Sequence, residues 1–343
     1  MGVAGYAVGL ALAVALSVRL DMRVSERVII ATVPPLSFLL AVKLSEIVFG
    51  SERIVFYEKL LFAQALSTLA LWLAGGRVTL GLDLVTLGIG TFLAFGRIGC
   101  FMVGCCHGRP FRWGVRYTPE HADAGFMRRW VGRPLFPIQL VDGALSALLV
   151  VAGAVIVVGP YLAGSATVTY VCGYALGRFV LEMLRGDSVR PYWLGVSEAQ
   201  WTALVTSWAA VILLPAGTVA LAIACALTLA ATSLMAARTM LRAAGYWLAS
   251  PAHIEELHEL AVRIVPGDEA QVTTLGLQLS LHLLPGGAIR DYIVSHPSRP
   301  ITPTTARALA RQLGWDADVR PGSTTGLVHL LVSGSGGEHT QLT

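Results

Sequence analysis

Long apolar runs broken by short polar stretches fill the first two thirds of the chain. The runs are about Val3–Val18, Val28–Gly50, Ile54–Ala74, Val78–Met102, Ile138–Pro160, Ala166–Leu184, Ser197–Leu214 and Thr218–Ala236. Each approaches the roughly 17–25 residues that a membrane-crossing helix needs. The pattern predicts seven or eight transmembrane helices, seven if the first is peripheral. Pro34-Pro35 must bend or break the second run, which also carries Lys43 and Glu46. Asp83 and Arg97 lie near opposite ends of the fourth, about 20 Å apart at 1.5 Å per residue, so they do not pair. Ser197-Glu-Ala-Gln200 has capping-box spacing and opens the seventh.

Two stretches break the apolar pattern. His107 to Pro137 is a polar hinge with Arg109, Arg112, Arg116, Arg128, Arg129 and Arg133, in which Tyr117-Thr-Pro-Glu-His121 reads as a loop and His121 as solvated. After Arg242, Val272–Leu284 and Ala288–Ser295 alternate as strands do, Thr304–Leu313 has helical spacing, and Gly326–Val332 reads as a last strand. The expected fold is an all-α polytopic membrane protein joined to a small soluble α+β C-terminal domain. The expected organisation is 1–242 transmembrane, 250–335 soluble and 336–343 a disordered tail.

Composition supports this division. With 55% hydrophobic and 13% charged residues and a mean hydropathy of +0.67, the chain is no ordinary soluble protein. Gly2 to Val18 lacks the basic start and cleavage site of a signal peptide, so it reads as a membrane helix. Nothing resembles a nucleic-acid motif or a nucleotide loop. Lys43 and Lys59 are the only lysines, which leaves arginine, a planar five-donor fork suited to phosphate or carboxylate, as the working cation. A bias toward arginine codons would give the same count.

The densest chemistry lies in Phe95–Pro110, Phe-Gly-Arg-Ile-Gly-Cys-Phe-Met-Val-Gly-Cys-Cys-His-Gly-Arg-Pro. A charge as deep as Arg97 is expensive in a bilayer and rarely idle. Cys100, Cys105 and Cys106 leave three readings open. One is a thiolate nucleophile activated by Arg97, Arg109 or His107. Another is small packing residues or a disulfide. The third is a metal box with His107, although the spacing is not a usual zinc pattern. No metal and no cofactor is expected. Cys172 and Cys225 sit in apolar runs as small hydrophobes.

Gly96 to Pro110 resembles the signature of the bacterial prolipoprotein diacylglyceryl transferases, G-R-x-G-N-F-x-N-G-E-x-x-G-R-P. Three more segments follow in the family's order. Pro137-Ile-Gln-Leu-Val-Asp142 is similar to P-x-Q-L-Y-E, and Arg178-Phe-Val-Leu-Glu182-Met-Leu-Arg185-Gly-Asp187 to R-F-x-x-E-x-x-R-x-x-D. Leu194-Gly-Val-Ser-Glu-Ala-Gln200 is similar to L-S-x-G-Q. The resemblance covers about residues 60–215. The family's two asparagines fall on Cys100 and Val103 and its signature glutamate on Cys105. Its tyrosine and second glutamate fall on Val141 and Asp142, and its essential histidine has no counterpart.

The resemblance implies transfer of the diacylglyceryl group of phosphatidylglycerol to the lipobox cysteine of a secreted lipoprotein precursor, in the bacterial cytoplasmic (inner) membrane. It implies catalytic roles for Arg97, Arg178 and Glu182, to which the nucleophile reading of the cysteines adds Cys105. It implies substrate binding by Gly96, Gly99, Cys100, Gly104, Gln139, Asp142 and Arg185. The arginines would clamp phosphate as charge builds on the leaving group. Arg178, Glu182 and Arg185 stand at i, i+4 and i+7, on one helical face. An ion-paired helix end would give the same spacing. Gln139 and Asp142 either take lipid glycerol hydroxyls or satisfy neighbouring helices. A transferase with a different acceptor, or a lipid-binding scaffold whose soluble domain recruits a partner, remains open beside this reading. The resemblance places the signature loop outside the cytoplasm, and its arginines argue the reverse by the positive-inside rule.

Overall fold

The structure, a computed structural model, describes residues 1–49, 56–127, 130–186, 192–215, 217–243, 248, 250–287, 289–298 and 300–333. Arg128, Arg129, Asp187 and the tail expected at 336–343 lie outside these. The chain divides into two compact units. One is Met1–Gly186 with Pro191–Ser233, and the other is Leu234–Thr343 with Asp187–Arg190.

In the first unit the apolar runs become helices α1 (Gly2–Arg19), α2 (Val24–Phe49), α3 (Phe56–Leu73) and α4 (Val78–Val103). A hairpin of β1 (Pro110–Arg116) and β2 (Pro134–Leu135) encloses the short helix α5 (Pro119–Asp123). Then come α6 (Ile138–Val158), α7 (Ser165–Met183), the small ribbon β3 (Tyr192–Trp193) and β4 (Val196–Ser197), α8 (Glu198–Leu213) and α9 (Thr218–Ala243), whose residues from Leu234 on fall in the second unit. Among the described residues, α1, α2, α4, α6 and α9 contain stretches long and apolar enough to cross a membrane. The other three runs expected to span are helical too. The apolar part of α3 is shorter, Lys59–Leu73, α8 has 16 residues, and α7 spends part of its length on buried polar residues.

The bundle is organised around α4. Of its most apolar stretch 56% is buried, against 22–28% for the other four, so α4 is the inner helix. Leu84, Val85 and Leu87 pack with Ala13 and Leu16 of α1 and Ile30 of α2. Leu93 packs with Val150 of α6 and Tyr170 and Tyr174 of α7. Polar groups inside are satisfied across helices. Asp83 accepts from the backbone N–H of Gly164 and Thr167 and from the Thr167 hydroxyl, each at 2.7 Å. It thereby caps the N-terminus of α7 from a neighbouring helix, where four N–H groups lack intrahelical partners. Glu26 accepts from the N–H of Arg77 at 2.6 Å and of Arg23 at 2.7 Å, tying the start of α2 to the α3–α4 turn.

Two expectations need correcting. Of the bend or break expected at Pro34-Pro35, the break does not occur, and α2 runs on through both. Membrane helices tolerate the lost backbone bonds where surrounding groups re-satisfy them. Tyr117–His121 is not a plain loop either. Thr118 and His121 form a capping box for α5, with His121 Nδ1 2.8 Å from the Thr118 hydroxyl, so His121 has a structural role.

The C-terminal unit is a five-stranded antiparallel sheet with helices α10 (Pro251–Arg263) and α11 (Pro303–Leu313). The strands are β5 (Gln271–Val272), β6 (Gln278–Leu283), β7 (Ile289–Ser295), β8 (Ala317–Pro321) and β9 (Val328–Ser333), in the order β5-β6-β7-β9-β8. Leu279, Leu281, Tyr292, Val294, Val328 and Leu330 alternate onto one face and meet Ile254, Leu257, Ala306 and Leu309 of the helices. Helix α10 and strand β8 had not been expected. His253 is buried on α10, its Nδ1 2.6 Å from the Leu248 carbonyl and its Nε2 2.8 Å from the Thr273 hydroxyl.

Candidate active site

The candidate residues come from three chain segments that meet at one end of the bundle: the end of α4, the start of α6 and the end of α7. Arg97, nearly two turns from the end of α4, faces Asp142 of α6, with Nε 2.8 Å from Oδ2. Both are buried. Close approach of the two helices needs Gly143, where a Cβ would sit 3.2 Å from the Ala94 carbonyl and from Arg97 Cβ. On α7, Arg178 Nη2 lies 2.6 Å from Glu182 Oε2. Arg185, just past the end of α7, brings its Nε to 4.0 Å from the same oxygen. Three buried guanidiniums thus share two buried carboxylates. Charges taken this far from water persist only when paired.

The segment after α4 is held by its backbone. Gly104 caps α4 in the left-handed region at φ 82°, and Cys106 follows at φ 57°. Gly108 N–H donates to the Phe136 carbonyl and Phe136 N–H to the Arg109 carbonyl. Arg109 N–H donates to the Leu184 carbonyl and Gly186 N–H to the His107 carbonyl. Residues 107–109 are therefore braced between the end of α7 and the approach to α6. Arg109 adds a side-chain bond, its Nε donating to the Arg185 carbonyl at 3.2 Å.

Gln139, buried on α6, donates through Nε2 to the Cys105 carbonyl at 2.8 Å and to the Tyr117 hydroxyl at 3.3 Å. Burial pushes the Tyr117 hydroxyl pKa up. Gln139 Oε1 and Asp142 Oδ1 are buried and accept no hydrogen bond among the described residues. Buried acceptors without donors cost stability unless something fills them.

The three thiols lie together, their sulfurs within 4.8 Å of one another. Hydrogen bonds from Cys100 and Cys105, then the guanidiniums of Arg185 and Arg97, hold the Cys106 thiol well below the usual range. Hydrogen bonds with Cys100 and Cys106 push the Cys105 thiol up. His107, expected as an activator or ligand, turns elsewhere. Its ring packs edge-on against Phe126 at 5.5 Å and Trp130 at 5.8 Å.

Residues 54–216 match the family model described as prolipoprotein diacylglyceryl transferase. Over this segment the chain is similar to that family. A protein of Clostridium tetani named phosphatidylglycerol–prolipoprotein diacylglyceryl transferase is 32% identical over 108 residues, 31% of this chain and 41% of that protein. The chain thus spans less than half the length of that curated relative. No solved structure matches.

Within the matched segment, Arg97, Cys100, Cys105, Gln139, Asp142, Arg178, Glu182 and Arg185 are drawn to the same end of the bundle. Gly104 shapes the turn that brings the thiols round. Gly96 has open space where a Cβ would be, and Gly99 faces Met1. Sequence reasoning weighed Cys106 and Arg109 only within the open readings of the cysteines, and it missed Tyr117. Arg109 stands on the arginine of the signature's G-R-P and could have been found there. Tyr117 gave no local signal, because its contact with Gln139 spans 22 residues.

Proposed function

We propose that this chain is a transferase of the bacterial inner membrane that moves a diacylglyceryl group from an anionic phospholipid, of the phosphatidylglycerol type, to a cysteine thiol of a secreted lipoprotein precursor. The observation that carries this reading is the set of three buried guanidiniums, Arg97, Arg178 and Arg185, held on two carboxylates inside the family segment. In this reading α3, α7 and α8 cross the membrane too, giving eight spans. Residues 250–335 then form a soluble domain.

The acceptor sulfur attacks the glyceryl carbon that bears the phosphate. The C–O bond breaks, its electron pair leaves on glycerol phosphate, and a C–S bond forms. Arg97 and Arg178 meet the charge that grows on the phosphate, as preorganised donors in a dry site do. Glu182 orients Arg178 and Arg185 and takes the thiol proton. The open acceptors Gln139 Oε1 and Asp142 Oδ1 receive hydroxyls of the lipid headgroup. Cys105 is not a covalent way-station here, because a thioether formed on it would not release the group again. Its thiol instead lines the acceptor side.

A second reading, the same donor with a different acceptor, is favoured by Cys100, Val103 and Cys105 standing where the family carries two asparagines and a glutamate. Both are tested with the full chain in phosphatidylglycerol nanodiscs and a lipobox peptide, followed by mass spectrometry. A diacylglyceryl thioether on the peptide and free glycerol phosphate support the first. Glycerol phosphate released with the group on another acceptor supports the second. Unaltered lipid under every condition refutes both and leaves a lipid-binding scaffold.

A further inference from the structure

We propose that Cys100, Cys105 and Cys106 bind a single thiophilic d10 metal ion, Zn2+ or Cu+, through three sulfurs. The sequence alone argues against such a site, because C-x4-C-C is not a usual metal spacing. The turn changes that. Gly104 at φ 82° ends α4, and Cys106 takes φ 57° although it is not glycine. A non-glycine residue in that region is strained and persists where its surroundings enforce it. Here the chain reverses over the last turn of α4, and Gln139 pins the Cys105 carbonyl at 2.8 Å.

The result is three sulfurs within 4.8 Å of one another. Zinc–sulfur bonds of about 2.3 Å set sulfur–sulfur edges of about 3.8–4.0 Å, so the cluster needs to close by no more than about 1 Å. The donor set is all sulfur, since no carboxylate or imidazole joins it among the described residues. All-thiolate sites select soft ions over magnesium or calcium. Three thiolates around a divalent ion leave one negative charge. Cys105 is exposed, which gives an ion a way in. Three protein ligands leave a coordination position for water or an outside thiol, as in catalytic zinc sites. This site stands whether or not the transferase reading holds.

The test uses the full chain in detergent, reduced and metal-free. Cd2+ should develop thiolate charge-transfer absorption that saturates at one equivalent, and Zn2+ should displace it against a chromophoric chelator. Cys105→Ser should weaken binding by more than about 100-fold, beyond what loss of a mere supporting group costs. Cys172→Ala/Cys225→Ala should leave it unchanged. Alkylation of the wild type, mapped by mass spectrometry, gives an answer that no variant's folding affects. Zn2+ should slow labelling of Cys100, Cys105 and Cys106, with Cys225 unaffected. Absence of stoichiometric binding, equal binding by Cys105→Ser, or unprotected thiols at saturating Zn2+ would each overturn the proposal.

Discussion

Replacing Glu182 by leucine removes the carboxylate that Arg178 meets at 2.6 Å and Arg185 at 4.0 Å. Side-chain exposure is 2% for Arg178 and 3% for Glu182, so water cannot take over as partner. Breaking a buried pair on one side costs about 3–5 kcal/mol, because the remaining charge stays buried and loses its carboxylate. That is roughly two to four orders of magnitude in the folding equilibrium. Removing both partners has the opposite logic: an apolar pair of similar volume is neutral or stabilising. Arg178→Met/Glu182→Leu should therefore melt above Glu182→Leu alone in detergent, though short of wild type, because Arg185 also loses the carboxylate. The activity assay then separates structure from chemistry. If Arg178 clamps phosphate, the folded double variant releases no glycerol phosphate from phosphatidylglycerol. A folded and active double variant would refute the clamp, and an undamaged Glu182→Leu would refute the burial argument beneath it.

Three other outcomes follow from single contacts. Arg97→Lys keeps the charge facing Asp142 but loses the planar fork, so lipid turnover should fall to background while the protein stays folded; wild-type turnover would mean that a point charge suffices. Asp83→Ala strips the cap from α7, leaving two N–H groups and a hydroxyl without their acceptor, and should lower stability by about 1–3 kcal/mol in a denaturation series, with no change counting against the capping role. Burial holds the His253 pKa below its usual value, so the unfolded state binds the proton first as pH falls. Stability of the C-terminal unit should be full above about pH 6.5 and decline below it. His253→Gln should flatten that decline in melts between neutral and mildly acidic pH, and an unaltered slope would place the titration elsewhere.

The apolar runs were legible because their length is a one-dimensional property: a stretch that must cross hydrocarbon has to be long, apolar and helical whatever it packs against. The signature from Gly96 to Pro110 was legible for a similar reason, since its residues are consecutive. In the C-terminal unit, β6, β7 and β9 could be read from alternation. β8 (Ala317–Pro321) carries Asp318 and Arg320 on its open face and buries only Val319 at its centre, too short an alternation to stand out. Pro34-Pro35 misled because local propensity argues for a break, whereas what a membrane helix keeps depends on its surroundings.

What the sequence by itself determined is which residues carry charge or sulfur, and on which helical face the nearby ones stand: Arg178 with Glu182, Gln139 with Asp142. Spacing along a helix fixes those pairs to within a turn. What only the tertiary structure decided is every partnership between segments. Asp83 is bound to the N-terminus of α7 and Arg97 to Asp142, contacts that span 81 and 45 positions of the chain. The three thiols converge through two left-handed residues that no spacing rule announces. Those contacts depend on how helices cross and where a turn reverses. The physical reason is that such geometry is settled by packing the whole bundle around α4, not by any one stretch of the chain.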